Sequence, residues 1–129
     1  DRKDCLDRID KTTCFFQPEP RPMVETWELQ SRFQFVLSPH GAGLDCHRTW
    51  EALLLGCIPI VKTAKINDLF EGLPVIAVDD WREINQQFLQ DKAQEMAGNT
   101  FNLERLSMRY WKEKIKHSQT NQLSHQRTR

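Results

Sequence analysis

The hydrophobic pattern is clearest between Phe33 and Lys62, where two apolar runs flank a helical segment. Residues 33–37 (FQFVL) are rich in aromatic and β-branched side chains, which predicts a strand. The SPHGAG segment cannot continue that strand, and Asp45 can cap a helix that runs to about Leu55 and ends at Gly56. Residues 58–62 (IPIVK) form the second apolar run. Because a helical crossover of this length fits parallel pairing, the stretch is predicted to form a βαβ unit.

The predicted helix divides its side chains into an apolar and a polar arc, at about 100° per residue. The apolar arc carries Cys46, Trp50, Leu53, Leu54 and Cys57. The adjacent arc carries His47, Arg48 and Glu51, with Leu55 among them. One side is therefore expected to pack on a sheet, while the other presents a base, a cation and a carboxylate just after a glycine loop.

The rest of the chain also alternates between strand and helix patterns. Helices are predicted within residues 1–10, 23–31, 81–97 and 103–116, and further strands at 13–16 and 74–78. Four strands separated by helices predict an α/β fold: a three-layer, Rossmann-like domain with a short, mainly parallel sheet of about four strands and helices on both faces. This single domain spans residues 1–118, with a helix, a strand and a proline-rich connection in residues 1–32 and the core βαβ unit in residues 33–62. Residues 119–129 are polar and aperiodic, which predicts a disordered tail.

In such sheets, ligands bind beyond the carboxyl ends of the strands. Those ends are predicted at Ser38–Gly43, Lys62–Thr63 and Asp79–Asp80. The informative polar residues therefore fall on one rim of the predicted sheet.

Composition and charge exclude some classes of partner. The chain has 129 residues, enough for one domain, and its 18 Lys and Arg balance 18 Asp and Glu, which gives no argument for nucleic acid binding. No apolar run approaches the roughly 20 residues of a membrane span. The four cysteines form no C-x-x-C pair and are expected to be small buried hydrophobes. These cysteines and the absence of an N-x-S/T glycosylation acceptor together favour a reducing compartment. A Golgi lumen is the alternative if a leader precedes Asp1.

The string SPHGAGLDCHRTWEALLLGCIPIVK resembles the donor-binding half of GT-B-type glycosyltransferases, most closely the exostosin-like group. The similarity extends over about Phe33 to Ile115. It includes the segments Leu73-Pro74-Val75, Asp80-Trp81 and Tyr110-Trp111. The resemblance implies transfer of a glycosyl group from a nucleoside diphosphate sugar to a glycan or other hydroxyl acceptor. It also implies that the acceptor half is a separate N-terminal domain, without which this chain is expected to be inactive.

The resemblance and the chemistry of the side chains together suggest site residues. Glu51 is expected to accept the ribose hydroxyls, as a glutamate in the matching place does in the family. Arg48 can fork onto phosphate oxygens and stabilise the charge that builds on the departing diphosphate, so it is the expected catalytic residue. The other expected substrate-binding residues are Ser38, His40, Gly41, Ala42, Gly43, His47 and Lys62.

Several alternatives stay open at this point. Gly41 and Gly43 could simply form a tight turn with positive φ, and His47 could pair with Glu51 four residues later. Asp45 with the two histidines could suggest a metal, but its capping role argues against one, so neither metal nor cofactor is expected. A non-catalytic nucleotide or phosphosugar-binding module would use the same pocket. A response-regulator-like domain fits poorly, because Lys62 stands where an aspartate would be needed.

Overall fold

The structure is a computed structural model that describes residues 1–127, with side chains described for residues 1–121. Its helices are α1 (Arg2–Arg8), α2 (Met23–Gln30), α3 (His47–Leu54), α4 (Gln86–Ala97) and α5 (Met108–Arg127). Its strands are β1 (Phe35–Leu37), β2 (Ile58–Lys62) and β3 (Ile76–Val78). Short 3-10 turns cover Lys65–Phe70, Trp81–Glu83 and Leu103–Leu106. The described chain is thus of the α/β class.

The central unit forms as the hydrophobic pattern predicts. β1 and β2 are parallel, with Val36 opposite Pro59, and α3 makes the crossover between them. Gly56 has a φ of 79°, a left-handed conformation that glycine adopts without strain, and it turns the chain from α3 toward β2. β3 adds in parallel to the other side of β2, so the strand order is β1-β2-β3.

The two faces of the sheet pack against different helices. On one face, Ile60, Ile76 and Val78 form a core cluster that includes Cys5 of α1 and the fully buried Trp81. On the opposite face, Val36 packs with two buried residues of the crossover, Ala52 and Cys57. α1 and α3 therefore cover opposite faces of the sheet.

The predicted fourth strand, residues 13–16, is wrong, since the described sheet has three strands. The side chain of Asp10 accepts hydrogen bonds from the backbone and hydroxyl of Thr12, at 3.0 and 2.6 Å. The Thr13 N–H donates to the Asp10 carbonyl at 3.2 Å. These bonds form a turn, after which residues 13–16 do not pair with the described sheet. Phe15 remains exposed and stacks on Phe33, with ring centroids 5.7 Å apart.

The helix predicted over residues 81–97 is interrupted. Asp80 caps its start in a capping box with Glu83, but the first turn is 3-10 and ends at Glu83. Asn85 then starts α4 by accepting a 2.9 Å hydrogen bond from the Phe88 N–H. Two capping residues five positions apart, Asp80 and Asn85, produce two helical pieces instead of one.

The tail prediction also differs from the structure. α5 continues to Arg127, through most of the segment expected to be disordered, while residues 128–129 lie outside the described residues. Residues 108–127 contain no proline and no glycine, so none of the strongest helix breakers interrupts α5. Within the described residues, no helix combines the length and the apolar character needed to cross a bilayer.

Candidate functional site

The carboxyl ends of the three parallel strands meet at one rim, as the sequence predicts. β1 leads into residues 38–45, β2 ends at Lys62, and β3 leads into Asp79 and Asp80. α1 contacts all three ends: Asp1 reaches His40, Asp4 reaches Lys62 and Arg8 reaches Asp80. The rim therefore gathers residues separated by about 80 positions in the chain.

The first expected ligand residue after β1, Ser38, is fully buried. Its hydroxyl lies 2.8 Å from that of Thr49, itself 2% exposed, so the two hydroxyls share a hydrogen bond. This bond joins the end of β1 to the first turn of α3. Ser38 therefore fixes the position of the helix and does not present its hydroxyl to the surface.

The loop between Ser38 and α3 is exposed from Gly41 to Asp45. A Cβ added at Gly41 would meet no atom within 4 Å, and one at Gly43 would meet only the Asp45 carbonyl at 3.9 Å. In the described chain, positive φ occurs only at Gly56 and Gly72. The tight turn with positive φ is therefore wrong for Gly41 and Gly43, and the fold itself does not require glycine at either position.

The first turn of α3 is uncapped. Cys46 occupies the N-cap position, and within the described residues no side chain accepts a hydrogen bond there. Asp45, the expected cap, instead accepts a 2.8 Å hydrogen bond from the indole Nε1 of Trp50. The capping role predicted for Asp45 is wrong because Trp50 lies on the same side of the helix and competes for its carboxylate. Backbone N–H groups of the first turn are consequently available to an acceptor.

The polar side of α3 carries the two residues on which the expected chemistry depends. Arg48 and Glu51 are both half-buried, and neither forms a side-chain hydrogen bond or ion pair within residues 1–121. His47 is exposed, and the alternative in which it pairs with Glu51 is not observed in that range. A half-buried carboxylate and a half-buried guanidinium are thus both free to contact a ligand.

The buried face of α3 is rotated from the predicted arc. Its buried residues are Thr49, Ala52 and Leu53, whereas Leu54 is 69% exposed. The hydrogen bond between Ser38 and Thr49 draws a polar position inward, which a rule based on hydrophobicity alone does not anticipate.

Two carboxylates that the sequence analysis did not single out occupy the other side of the rim. Asp1 accepts 2.8 and 2.9 Å hydrogen bonds from the His40 backbone N–H and the Trp81 indole, and its carboxylate lies 3.8 Å from the His40 imidazole. Asp4 accepts a 2.8 Å hydrogen bond from Lys62. The i, i+3 spacing of Asp1 and Asp4 was the available signal, because it places both on one side of a helix.

The charges on this side are mutually compensated. The hydrogen bond from Lys62 is the main cause that lowers the pKa of Asp4, and the positive charge of Arg8 adds to it against partial desolvation. Arg8 also bridges Asp4 and Asp80, at 3.0 Å from the latter. His40 and Lys62 therefore differ from Arg48 and Glu51, because acidic groups of α1 already hold them.

Metal binding has no obvious location in the described part of the chain. Within it, no three side chains among His, Cys, Asp and Glu are grouped so that they could hold an ion. The absence of a metal site stays a prediction.

Comparison with known proteins assigns the chain to no family. No protein-family model matches it, and no curated protein matches its sequence. Its function is therefore inferred from its own residues and their arrangement.

Proposed function

We propose that this chain is the nucleotide-sugar-binding half of a GT-B-like, exostosin-like glycosyltransferase with a Rossmann-like fold. The supporting observation is the start of α3, which directly follows an exposed glycine loop and, among the described residues, has neither a side-chain cap nor a partner for Arg48 or Glu51. These features lie at the carboxyl end of a parallel sheet, where ligands of α/β folds bind.

The phosphates of the donor would lie over the loop and the first turn of α3. Free N–H groups at a helix start, together with the helix dipole, favour an anion. Gly41 and Gly43 have no structural need to be glycine, so their lack of a side chain leaves room for close approach of a phosphate. Arg48 would add a charge-assisted hydrogen bond to the phosphate oxygens.

The ribose would lie one turn further along the helix. Glu51 is half-buried and unpaired among the described residues, so its carboxylate can accept hydrogen bonds from two neighbouring hydroxyls. His40, His47 and Lys62 would contact the phosphates or the sugar. For His40 and Lys62, this requires the ligand to compete with Asp1 and Asp4.

In catalysis, Arg48 would stabilise the negative charge that grows on the leaving diphosphate, without a metal or cofactor. The acceptor hydroxyl, on a glycan or another molecule, would come from the second domain that the family resemblance implies. The described residues 1–32 form α1, α2 and their connection, and they do not build a second sheet. We therefore expect binding without turnover from this chain alone.

The test is a thermal-shift and calorimetric titration with UDP, GDP, ADP and CDP, in chelator and in Mn²⁺. We expect one uridine or guanosine diphosphate to bind in chelator, and to bind Glu51→Gln at least tenfold more weakly. Glu25→Gln, at an exposed position on α2, is the matched control and should bind normally. No binding by any nucleotide at millimolar concentration would contradict the proposal. Binding to the full-length protein without glycosyl transfer would instead support a non-catalytic nucleotide or phosphosugar-binding module.

A further inference from the structure

A cavity of about 470 Å³ lies against β1, on the sheet face covered by α1. β1 is an edge strand of the described sheet, and the missing fourth strand leaves this edge uncovered by a neighbouring strand. The cavity is bounded by α1, α2 and the connection that contains Phe15 and Phe16. Its volume falls within the range of pockets that bind small molecules, about 300–1,000 Å³.

The wall of this cavity is mainly apolar and uncharged. It includes Leu29 of α2 and the aromatic rings of Phe33 and Phe35. Burial raises the pKa of the Cys5 thiol to about 11 and also raises the pKa of Cys14, so both of these lining thiols are protonated near neutral pH. A ligand would therefore meet mainly hydrocarbon, aromatic rings and neutral sulfur, with the uncharged polar side chains of Thr13, Gln17, Thr26 and Gln30 among them.

Two cations are the exception. Arg2 and Arg48 are the charged residues among those that line the cavity, and no carboxylate is among them. Neither arginine forms an ion pair within residues 1–121. An apolar cavity with two uncompensated guanidinium groups is complementary to a molecule that has an apolar part and an anionic part.

We propose that this cavity binds a single-chain amphiphile with an anionic head group, such as an alkyl phosphate or a fatty acid. The hydrocarbon chain lies against β1 and Leu29, and Arg2 and Arg48 hold the head group. This site goes beyond the proposed donor site and shares only Arg48 with it. It gives the chain a second ligand, bound on the opposite face of the sheet from the body of α3.

The first test is calorimetry with hexyl, octyl and decyl phosphate, each below its micelle concentration. Burying each methylene should raise the affinity about threefold to fourfold. Octyl glucoside, which has the same alkyl chain and a neutral head group, should bind at least tenfold more weakly than octyl phosphate. The affinity of octanoate then shows whether a carboxylate head group binds as tightly as a phosphate. Equal binding of the neutral and anionic amphiphiles, or no saturable binding, would overturn the proposal.

Variants localise the binding. Leu29→Trp fills the cavity and should abolish decyl phosphate binding, while Val24→Trp, at a 70% exposed position of the same helix, should not. Arg2→Gln should weaken anionic ligands at least fivefold and leave octyl glucoside unchanged. Arg109→Gln, at an 87% exposed side chain, is its control. If Leu29→Trp does not fold, the Arg2 comparison decides, and unchanged binding by Arg2→Gln would contradict the proposal.

The nucleotide titration separates this proposal from the donor site. Leu29→Trp should bind nucleoside diphosphates normally, since Glu51 and the glycine loop do not line the cavity. Amphiphile binding without nucleotide binding would overturn the proposed donor site and leave the cavity proposal standing. Nucleotide binding without amphiphile binding would overturn the cavity proposal and leave the proposed donor site standing.

Discussion

The ammonium group of Lys62 donates a 2.8 Å hydrogen bond to the carboxylate of Asp4, which lies 58 positions earlier in the chain. The cation at the end of β2 is thus compensated by α1 before any ligand binds. An anionic ligand that uses Lys62 must displace this carboxylate or bind beside it. Replacing Asp4 should therefore change ligand affinity more than it changes stability.

For Asp4→Asn, we expect the affinity for a nucleoside diphosphate to rise about three- to tenfold, because the carboxylate that compensates the charge of Lys62 is removed. Calorimetry at low and high salt measures the effect, which should shrink as salt screens it. Asp7→Asn, on an exposed side of α1, should have no effect. Weaker binding by Asp4→Asn would mean that Asp4 supports the site by orienting Lys62.

Glu51→Gln and Arg48→Ala should impair binding in different ways. Loss of a charged acceptor for the ribose removes about 1.5–3 kcal/mol, so Glu51→Gln should weaken nucleosides and nucleotides alike by about ten- to a hundredfold. Arg48→Ala should spare nucleosides and weaken diphosphates. Melting temperatures accompany both titrations and should move little. If Glu51→Gln lowered stability but not affinity, Glu51 would be a structural residue.

The buried hydroxyl pair of Ser38 and Thr49 should act on stability alone. Ser38→Ala leaves the Thr49 hydroxyl buried without its partner, and we expect the free energy of unfolding to fall by about 1–3 kcal/mol. The double variant Ser38→Ala/Thr49→Val removes both hydroxyls and should recover part of that loss. Urea unfolding measures both variants. Additive losses would show that the two hydroxyls are not coupled.

Glycine substitutions distinguish a structural glycine from a binding one. Gly56→Ala places a side chain on a residue with a φ of 79° and should lower stability by about 1–2 kcal/mol. Gly41→Ala meets no neighbouring atom and should leave stability unchanged while it weakens diphosphate binding. Thermal unfolding and calorimetry on both variants check this. Normal diphosphate binding by Gly41→Ala would show that the glycine loop is not part of the phosphate site.

Acid should destabilise the rim through Asp80. Hydrogen bonds from Arg82, with the nearby charge of Arg8, hold the pKa of Asp80 well below its ordinary value of 3.8. A carboxyl with a depressed folded-state pKa stabilises the fold above its unfolded-state pKa, and this contribution is lost as pH falls below 3.8. Asp80→Asn retains a capping oxygen and should show a shallower loss of stability in acid. Urea unfolding from about pH 6 downward measures it, with the exposed Asp79→Asn as control.

The central βαβ unit could be predicted because its signals are local. Gly56 ends a helix, an apolar run follows, and the crossover length allows parallel pairing, so the strand ends fall on one rim. Arg48, Glu51 and the exposed loop could be proposed as candidates for the same reason.

The remaining features depend on contacts between distant or competing groups. Asp45 was expected to cap α3, but the Trp50 indole takes its carboxylate. Ser38 was expected to meet a ligand, but it is buried by pairing with Thr49, eleven residues away. Residues 13–16 have strand-forming side chains, but the turn at Asp10 directs them elsewhere. In each case a specific hydrogen bond overrides a propensity, and propensity alone does not reveal the partner.

The contacts of α1 with the rim also bear on how the chain acquires its structure during synthesis. Asp1 meets Trp81 and Arg8 meets Asp80, across separations of 80 and 72 residues. At about 5–20 residues per second, a ribosome needs roughly 4–16 seconds to make the 80 residues between the two partners. During that time the apolar side of α1, which includes Cys5 and Ile9, has no completed sheet to cover. α1 is therefore made before the sheet that it covers is complete, and Cys5 stays unburied until β3 and Trp81 have followed.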